Sequence, residues 1–269
     1  MKSTNTIKAI LLPFILSMLV IPGTINLHGQ SFQWGVIGGA LNSTASSNRV
    51  VDIATYQNQR IYSLSRVSTW NKSVAGQSLP SFGGLKSTEI VVSNLNTDGQ
   101  HLWSKVIGSN SSAFPARIFT DSKGSVYVTG NNIGWRQNYD LDTSVRSTST
   151  IDRPWMFLIK YDSLGTLQWL VMPEPEAPKV NSQSIDALLD SNGVIHWLGY
   201  LRKGHLAEFQ DTVSSDGVYV LRFSMGGQYL GRTKMNMTIG RVNAFAPDGR
   251  TKFRYDPQRG RYYIGGIND

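Results

Sequence analysis

The stretch MFLIKYDSLGTLQW, residues 156–169, contains the pattern that decides the fold. The run MFLIKYD alternates between an apolar and a mixed face, and a turn of the Asp-Ser-x-Gly type separates it from the Trp-containing run LQW. Short turns rich in Asp, Asn and Gly are typical of hairpins that need a positive φ. The segment DSKGSVYVTG, residues 121–130, has the same kind of turn before another alternating run. Both stretches predict antiparallel strands joined by tight turns.

This pattern recurs along the chain at a nearly constant interval. Tryptophans in equivalent strands follow one another at almost equal spacing: Trp34, Trp103 and Trp169. Glycines in the turn before the Trp strand keep the same spacing: Gly99, Gly165 and Gly227. Glycines before the VYVTG-like strand keep it too: Gly124, Gly193 and Gly260. Three independent landmarks with one period indicate an internal repeat.

Each repeat unit contains four short strands, which we label a, b, c and d in chain order. Strand a ends at the Asp-x-x-Gly turn, b is the VYVTG-like run, c is the MFLIKYD-like run, and d is the Trp strand, with an equivalent near residue 230. No segment after residue 29 keeps a helical apolar period for three turns. An all-β chain of repeated four-stranded antiparallel units predicts a β-propeller, with about four blades in residues 30–269.

The strand order predicts an incomplete propeller. The chain begins with a lone d strand at residues 32–38, passes through a to d three times, and stops after an a and a b strand at RYYIGGIND. A blade formed from both chain ends would have no c strand, and Tyr262, Tyr263 and Ile264 would lie on an open edge. We therefore expect the chain to be an N-terminal piece of a longer propeller, truncated at its C-terminal end.

The succession FGGLKSTEIVVSNLNTDGQHLWSKVIG, then DSKGSVYVTGN, resembles the bacterial β-propeller repeat family called SBBP repeats. Its unit runs as a Phe-Gly stretch, a D-x-F-V-x-K-x-D-like strand, a Gly turn, a Trp strand, an Asp-x-x-Gly turn and a V-Y-V-T-G strand. The resemblance covers nearly all of residues 30–269, although the first unit has YQNQRIYSLS at the Asp-x-x-Gly turn and the fourth has Leu230 or Gly231 for the Trp. It implies a secreted or cell-surface protein, and it implies no catalytic residues.

Residues 1–29 are predicted to be a signal peptide. Lys2 and Lys8 precede the apolar run AILLPFILSMLVI, which Pro22 and Gly23 interrupt. This run is short for a membrane span and fits the central region of a signal peptide, with an uncut N-terminal anchor as the alternative. No second apolar run follows. We therefore expect cleavage near Gly29, a secreted or cell-surface location, and no stable membrane span afterwards.

Composition and charge exclude several kinds of chemistry. The chain has no Cys, which excludes disulfides, Cys-ligated metals and thiol nucleophiles. The formal net charge is +8, and residues 231–269 carry eight Lys and Arg against three acids. Such a patch can attract an acidic polymer, but Arg254 and Arg261 alternate with aromatic residues, which favours the solvated face of a strand. An exported protein rarely meets nucleic acid, so no nucleic-acid partner is expected.

The long connections predict where a ligand would bind. All three join strand b to strand c, at about residues 66–86, 131–153 and 202–216, so they lie together on one face of a propeller. Long loops in a compact repeat usually have a role. We predict ligand contacts with a polysaccharide or an extracellular protein from aromatic and charged residues there: Trp70, Trp135, Arg136, Tyr139 and His205. The alternative is that the aromatic members belong to the core.

Catalytic signals are weak. The four His lack metal-ligand spacing, His196 is most simply a strand residue, and no cofactor or metal is indicated. Aspartates that recur with the repeat are best explained by Asx-turns: Asp121, Asp190 and Asp256. Three classes of function stay open: a binding scaffold, a structural or adhesive module of a longer surface protein, and a propeller enzyme such as a glycan lyase or glycosidase.

Overall fold

The structure is a computed structural model that describes residues 38–40, 48–68, 72–82, 87–133, 136–140, 143–146, 154–173, 182–237 and 251–265. The chain divides into the units Met1–Gly35 and Val36–Asp269, and all described residues lie in the second. The predicted signal peptide and Trp34 lie outside the described residues. Among the described residues, no helix is long and apolar enough to cross a membrane.

The described residues form β-strands and one 3-10 helix, Ala207–Phe209. In chain order the strands are β1 (Gly38–Ala40), β2 (Arg49–Tyr56), β3 (Arg60–Ser68), β4 (Lys72–Val74), β5 (Gln77–Ser78), β6 (Thr88–Asn96), β7 (His101–Ser109), β8 (Ala113–Thr120), β9 (Val126–Ile133), β10 (Arg136–Asp140), β11 (Thr143–Arg146), β12 (Pro154–Tyr161), β13 (Leu167–Val171), β14 (Gln183–Leu189), β15 (Val194–Leu201), β16 (Gly204–Leu206), β17 (Asp211–Val213), β18 (Gly217–Ser224), β19 (Tyr229–Lys234), β20 (Lys252–Asp256) and β21 (Arg261–Gly265).

These strands form three antiparallel sheets with the same order. Sheet I has the order β2-β3-β6-β7, sheet II β8-β9-β12-β13, and sheet III β14-β15-β18-β19. The hairpin β20-β21 follows sheet III in the chain. The predicted a-b-c-d units are confirmed as four-stranded antiparallel sheets, and the predicted final a and b strands are confirmed as this hairpin. Of the predicted lone d strand at residues 32–38, only Gly38 is described; it lies in β1, which pairs with β4.

The tight turns are stabilised by the Asp and Gly residues of the Asp-x-x-Gly pattern. Asp121 Oδ1 accepts hydrogen bonds from the N–H groups of Lys123 and Ser125, both at 2.9 Å. Gly124 adopts φ 76° and donates its N–H to Asp121 O at 3.1 Å. The carboxylates of Asp162 and Asp190 accept backbone N–H groups in the same way in the next turns. The Asx-turn prediction is confirmed.

The hydrophobic core lies between the faces of successive sheets. Tyr62 of sheet I packs with Phe157 of sheet II in one fully buried cluster. Met156 of sheet II packs with Trp197 of sheet III in a second cluster. Phe253 of the β20-β21 hairpin belongs to a third cluster with residues of sheet III. The sheets and the hairpin therefore stack in chain order, and burial of their apolar faces is the main stabilising contribution.

Strand a of each sheet lies directly beside strand a of the next. A β-bulge precedes Asp52, Arg117 and Asp186, the equivalent residues of β2, β8 and β14. Asp52 Oδ2 accepts the N–H of Ile118 at 3.0 Å, and Asp186 Oδ2 accepts the N–H of Phe253 at 2.9 Å. Charged side chains directed by the bulges therefore join the a strands of successive units.

Candidate functional site

The structure places the sequence-predicted ligand residues only in part. Trp70 and Trp135 lie outside the described residues. Arg136 and Tyr139 lie in β10, and His205 lies in β16, where it pairs with Thr212. The strand β10 pairs with β7 of sheet I, whereas β16 pairs only with β17 among the described strands. The backbone therefore puts Arg136 and Tyr139 in one sheet and His205 in another, and their role in binding stays a prediction.

Each long connection contains a short hairpin of its own, which the sequence did not indicate. These hairpins are β4-β5, β10-β11 and β16-β17. The β10-β11 hairpin extends the d edge of sheet I to six strands. The strand β4 is held by an ion pair between the fully buried side chains of Lys72 and Glu89. A long connection that folds into a hairpin satisfies its own backbone hydrogen bonds, which explains why these segments form strands.

Two adjoining clefts lie at the a–b turns, which are at the strand ends opposite to the long b–c connections. The first, of about 500 Å³, separates the a–b turns of sheets II and III and also contacts Met225. The second, of about 290 Å³, separates the a–b turn of sheet III from the β20-β21 hairpin. Both share Leu189, Asp190 and Ser191 as a common rim. We call this continuous surface the turn groove, lined by residues 120–122, 188–193, 225, 254, 255 and 257.

The carboxylates of the groove are occupied by local donors. Asp121 Oδ2 accepts the hydroxyl of Tyr127 at 2.9 Å, and its Oδ1 holds the turn described above. Burial alone would raise the pKa of Asp121, but hydrogen bonds from Ser125, Tyr127 and Lys123 outweigh it and hold that pKa below its usual value. Asp121 therefore stays ionised as a structural acceptor and has no proton to donate to a ligand.

Behind the second cleft, a chain of hydrogen bonds links Asp190, His196 and Tyr262. His196 Nε2 lies 3.1 Å from Asp190 Oδ2, and Nδ1 lies 2.9 Å from the Tyr262 hydroxyl. A neutral imidazole satisfies both partners when Nε2–H donates to Asp190 and Nδ1 accepts from Tyr262. Burial lowers the pKa of His196 and raises that of Tyr262, so both groups are neutral near pH 7.

This chain of residues is structural. His196 is only 2% exposed and does not line either cleft, so a ligand in the groove does not reach it. Tyr127 occupies the equivalent place in sheet II, where it donates to Asp121, so the contact belongs to the repeat. The prediction that His196 is a strand residue is confirmed. Within the described part of the chain, no group of three or more His, Asp or Glu has the geometry to hold a metal ion.

The surface of the groove offers binding chemistry. Ser122, Ser191 and Asn192 present hydroxyl and amide groups in the first cleft, next to the thioether of Met225. Tyr255 lines the second cleft together with Arg254 and Pro257. Hydroxyls, an amide and flat apolar surfaces in one open groove suit a polar ligand of extended shape, such as a glycan.

The sequence matches no protein-family model, and no curated protein matches it. The site is therefore defined by its geometry. Sequence reasoning assigned Arg254 to a solvated strand face and placed the ligand contacts on the face of the long connections, and it therefore missed the groove. The sequence pattern identifies each turn separately, whereas a cleft between two turns depends on how two sheets stack.

Proposed function

We propose that this chain is a secreted or cell-surface β-propeller repeat protein that serves as a binding scaffold and holds a polysaccharide in the turn groove. The observation that carries the proposal is the groove itself: it extends over three successive units, and the hydroxyl and amide groups of Ser122, Ser191 and Asn192 line it beside the exposed side chain of Met225. A groove that crosses several repeats suits a polymer, because each unit can contact a different segment of the ligand.

The packing of the sheets supports the propeller part of this proposal. Arg117 lies between Asp52 and Asp186, so three consecutive a strands are joined directly. Successive four-stranded sheets that meet through the same strand are expected when blades are arranged around a central axis. The resemblance to SBBP repeats and the signal-peptide pattern support export to the cell exterior.

A second candidate surface is the face of the long connections. The predicted residues there are Trp70, Trp135, Arg136, Tyr139 and His205. The hairpin of β10 and β11 supports a role for this face, because it projects from one unit and pairs with the sheet of the unit before it. A protein ligand fits such a surface, and the two faces can be tested separately.

The test is a glycan array with dye-labelled protein that lacks residues 1–29. We expect binding to a subset of polysaccharides, and we expect the variant Asn192→Trp to reduce it at least tenfold by filling the first cleft. The control is Leu164→Trp, at the third position of the Asp-Ser-x-Gly sequence in the c–d turn of sheet II, where the side chain is 76% exposed and does not line the groove. Failure of the wild-type protein to bind any glycan would favour the structural or adhesive module.

A further inference from the structure

We infer that the second cleft of the turn groove is a subsite for an acidic sugar residue, such as a uronate, within a polysaccharide chain. This inference rests on the proposed function and specifies the class of glycan that the groove binds. Three features of the cleft carry it: an aromatic ring held in place by its neighbours, an exposed guanidinium, and carboxylates that are already hydrogen-bonded.

The aromatic ring is that of Tyr255. Its centroid lies 4.3 Å from the His196 ring at an interplanar angle of 29°, and 4.8 Å from the Tyr262 ring at 33°. Because these neighbours restrict the ring, stacking a ligand on it costs little additional side-chain entropy. Pro257 extends the apolar surface of the same cleft. A restricted ring beside a proline suits the flat C–H face of a pyranose.

The guanidinium is that of Arg254, which is exposed and lines the same cleft. Its Nη1 donates to the backbone oxygen of Phe253 at 3.0 Å, and no carboxylate of the described residues forms an ion pair with it. Its other N–H groups remain for a ligand. A planar guanidinium binds a carboxylate or a sulfate through two parallel hydrogen bonds, a geometry that a sugar hydroxyl does not match.

Neighbouring carboxylates do not oppose an anionic ligand. Asp190 Oδ1 accepts N–H groups of Asn192 and Val194 at 2.9 and 2.8 Å, and its Oδ2 contacts His196. Asp256 is paired with Arg259 at 2.9 Å. Local donors therefore hold both carboxylates within their own turns, and the described β20-β21 hairpin carries further exposed cations at Lys252 and Arg261.

The first cleft differs in chemistry from the second, and this difference indicates which part of the polymer would lie in each cleft. Its lining contains hydroxyls and an amide but no basic residue, so it suits a neutral part of the chain. The two clefts meet at the rim of Leu189, Asp190 and Ser191. A polysaccharide crossing this rim would place an acidic sugar on Tyr255 and Arg254 and its neighbour on the hydroxyls of sheets II and III.

The experiment is a calorimetric titration of the protein comprising residues 30–269. The ligands are oligogalacturonates, alginate oligomers and hyaluronan oligomers, and each is compared with its methyl-esterified form. Esterification removes the negative charge and keeps the sugar ring. We expect at least one acidic form to bind at least tenfold more tightly than its ester, with an affinity that falls as salt rises. We expect Arg254→Gln to lower that affinity about tenfold.

The matched control is Arg261→Gln, because Arg261 is exposed on the same hairpin, carries the same charge and does not line the cleft. We expect it to change affinity less than twofold. An equal loss in both variants, equal binding of the esters, or equally tight binding of a poly-glutamate peptide would overturn the acidic-sugar subsite. Binding of neutral glycans alone would overturn it too but leave the scaffold proposal standing, whereas binding of no glycan would contradict both.

Discussion

The indole Nε1–H of Trp103 donates a hydrogen bond to the backbone oxygen of Ser163 at 3.1 Å. Trp103 lies on strand d of sheet I, and Ser163 lies in the c–d turn of sheet II. One unit later, Trp169 Nε1 donates in the same way to Met225 O at 3.2 Å. The tryptophan that marks the repeat therefore links sheet I to the c–d turn of sheet II, and sheet II to the c–d turn of sheet III.

Glycine in that turn allows the contact. A Cβ atom built on Gly165 would lie 2.9 Å from the Trp103 ring, and one built on Gly227 would lie 3.0 Å from the Trp169 ring. Both glycines adopt positive φ, 86° and 85°. The period shared by the Trp and Gly landmarks thus has a steric cause, because the ring of one unit occupies the space that a side chain of the next would need.

We expect Gly165→Ala to lower the free energy of unfolding by about 3 kcal/mol, from backbone strain and the clash with Trp103 together. Gly260→Ala is the matched control, because Gly260 has φ 60° and a Cβ atom placed there would meet nothing within 4 Å. Strain alone should cost it about 1 kcal/mol. Urea denaturation measures both, and equal losses would show that the ring does not constrain the turn.

Arg117→Met should destabilise the protein by about 2 kcal/mol or more, because it leaves two partly buried carboxylates without their cation. Arg117 lies 3.2 Å from Asp52 and 3.5 Å from Asp186, and their side chains are 24%, 16% and 5% exposed. The control is Arg202→Met, which breaks a pair with Asp216 whose side chains are 47% and 41% exposed. That change should cost less than about 1 kcal/mol.

Thermal and urea unfolding of both variants test this expectation. The addition of Asp186→Asn should recover part of the loss in Arg117→Met, since burial raises the pKa of Asp186 and a neutral amide removes the unpaired charge. Strictly additive effects of the two substitutions would contradict a coupled network along the a strands.

His196 should make stability depend on pH. Burial lowers its pKa in the folded state below the unfolded value of about 6.5, so folding favours the neutral ring. The contribution of His196 is therefore present above about pH 6.5 and is lost as the pH falls towards the lower pKa of the folded state. Asp190, Tyr262 and Arg222 surround the ring, and Arg222 also disfavours protonation.

Unfolding curves between pH 7.5 and about pH 5 measure this loss, and we expect His196→Gln to flatten it over that range. The control is His101→Gln, because burial also lowers the pKa of His101. This change should remove a smaller part of the pH dependence of stability, since His101 is less buried than His196. A pH dependence that is unchanged in His196→Gln would mean that the ring is not the titrating group.

The face of the long connections has its own prediction. Substitution of Trp70 and Trp135 by Ala should leave the unfolding temperature nearly unchanged and reduce binding of a ligand on that face by about 1 kcal/mol or more per residue. Differential scanning fluorimetry and binding measured in parallel separate the two effects. If both substitutions instead lowered the unfolding temperature strongly, these residues would belong to the core.

The sequence by itself determined the local architecture. Strand alternation and the Asp-x-x-Gly turns predicted the order a, b, c, d and the hairpins, because each hairpin is specified by residues a few positions apart. Asp121 and Gly124, for example, hold their turn through atoms of the same short segment. The internal period added that this local unit is repeated and that Trp103 and Trp169 have the same role.

Only the tertiary structure decided how the units meet. The contacts of Asp52 with Ile118 and of His196 with Tyr262 join residues 66 positions apart, and the turn groove is the space between turns of different units. The pairing of β10 with β7 likewise connects one unit to another. Such contacts depend on the stacking of whole sheets, and the pattern within a single unit does not specify which side chain of the next unit will face it.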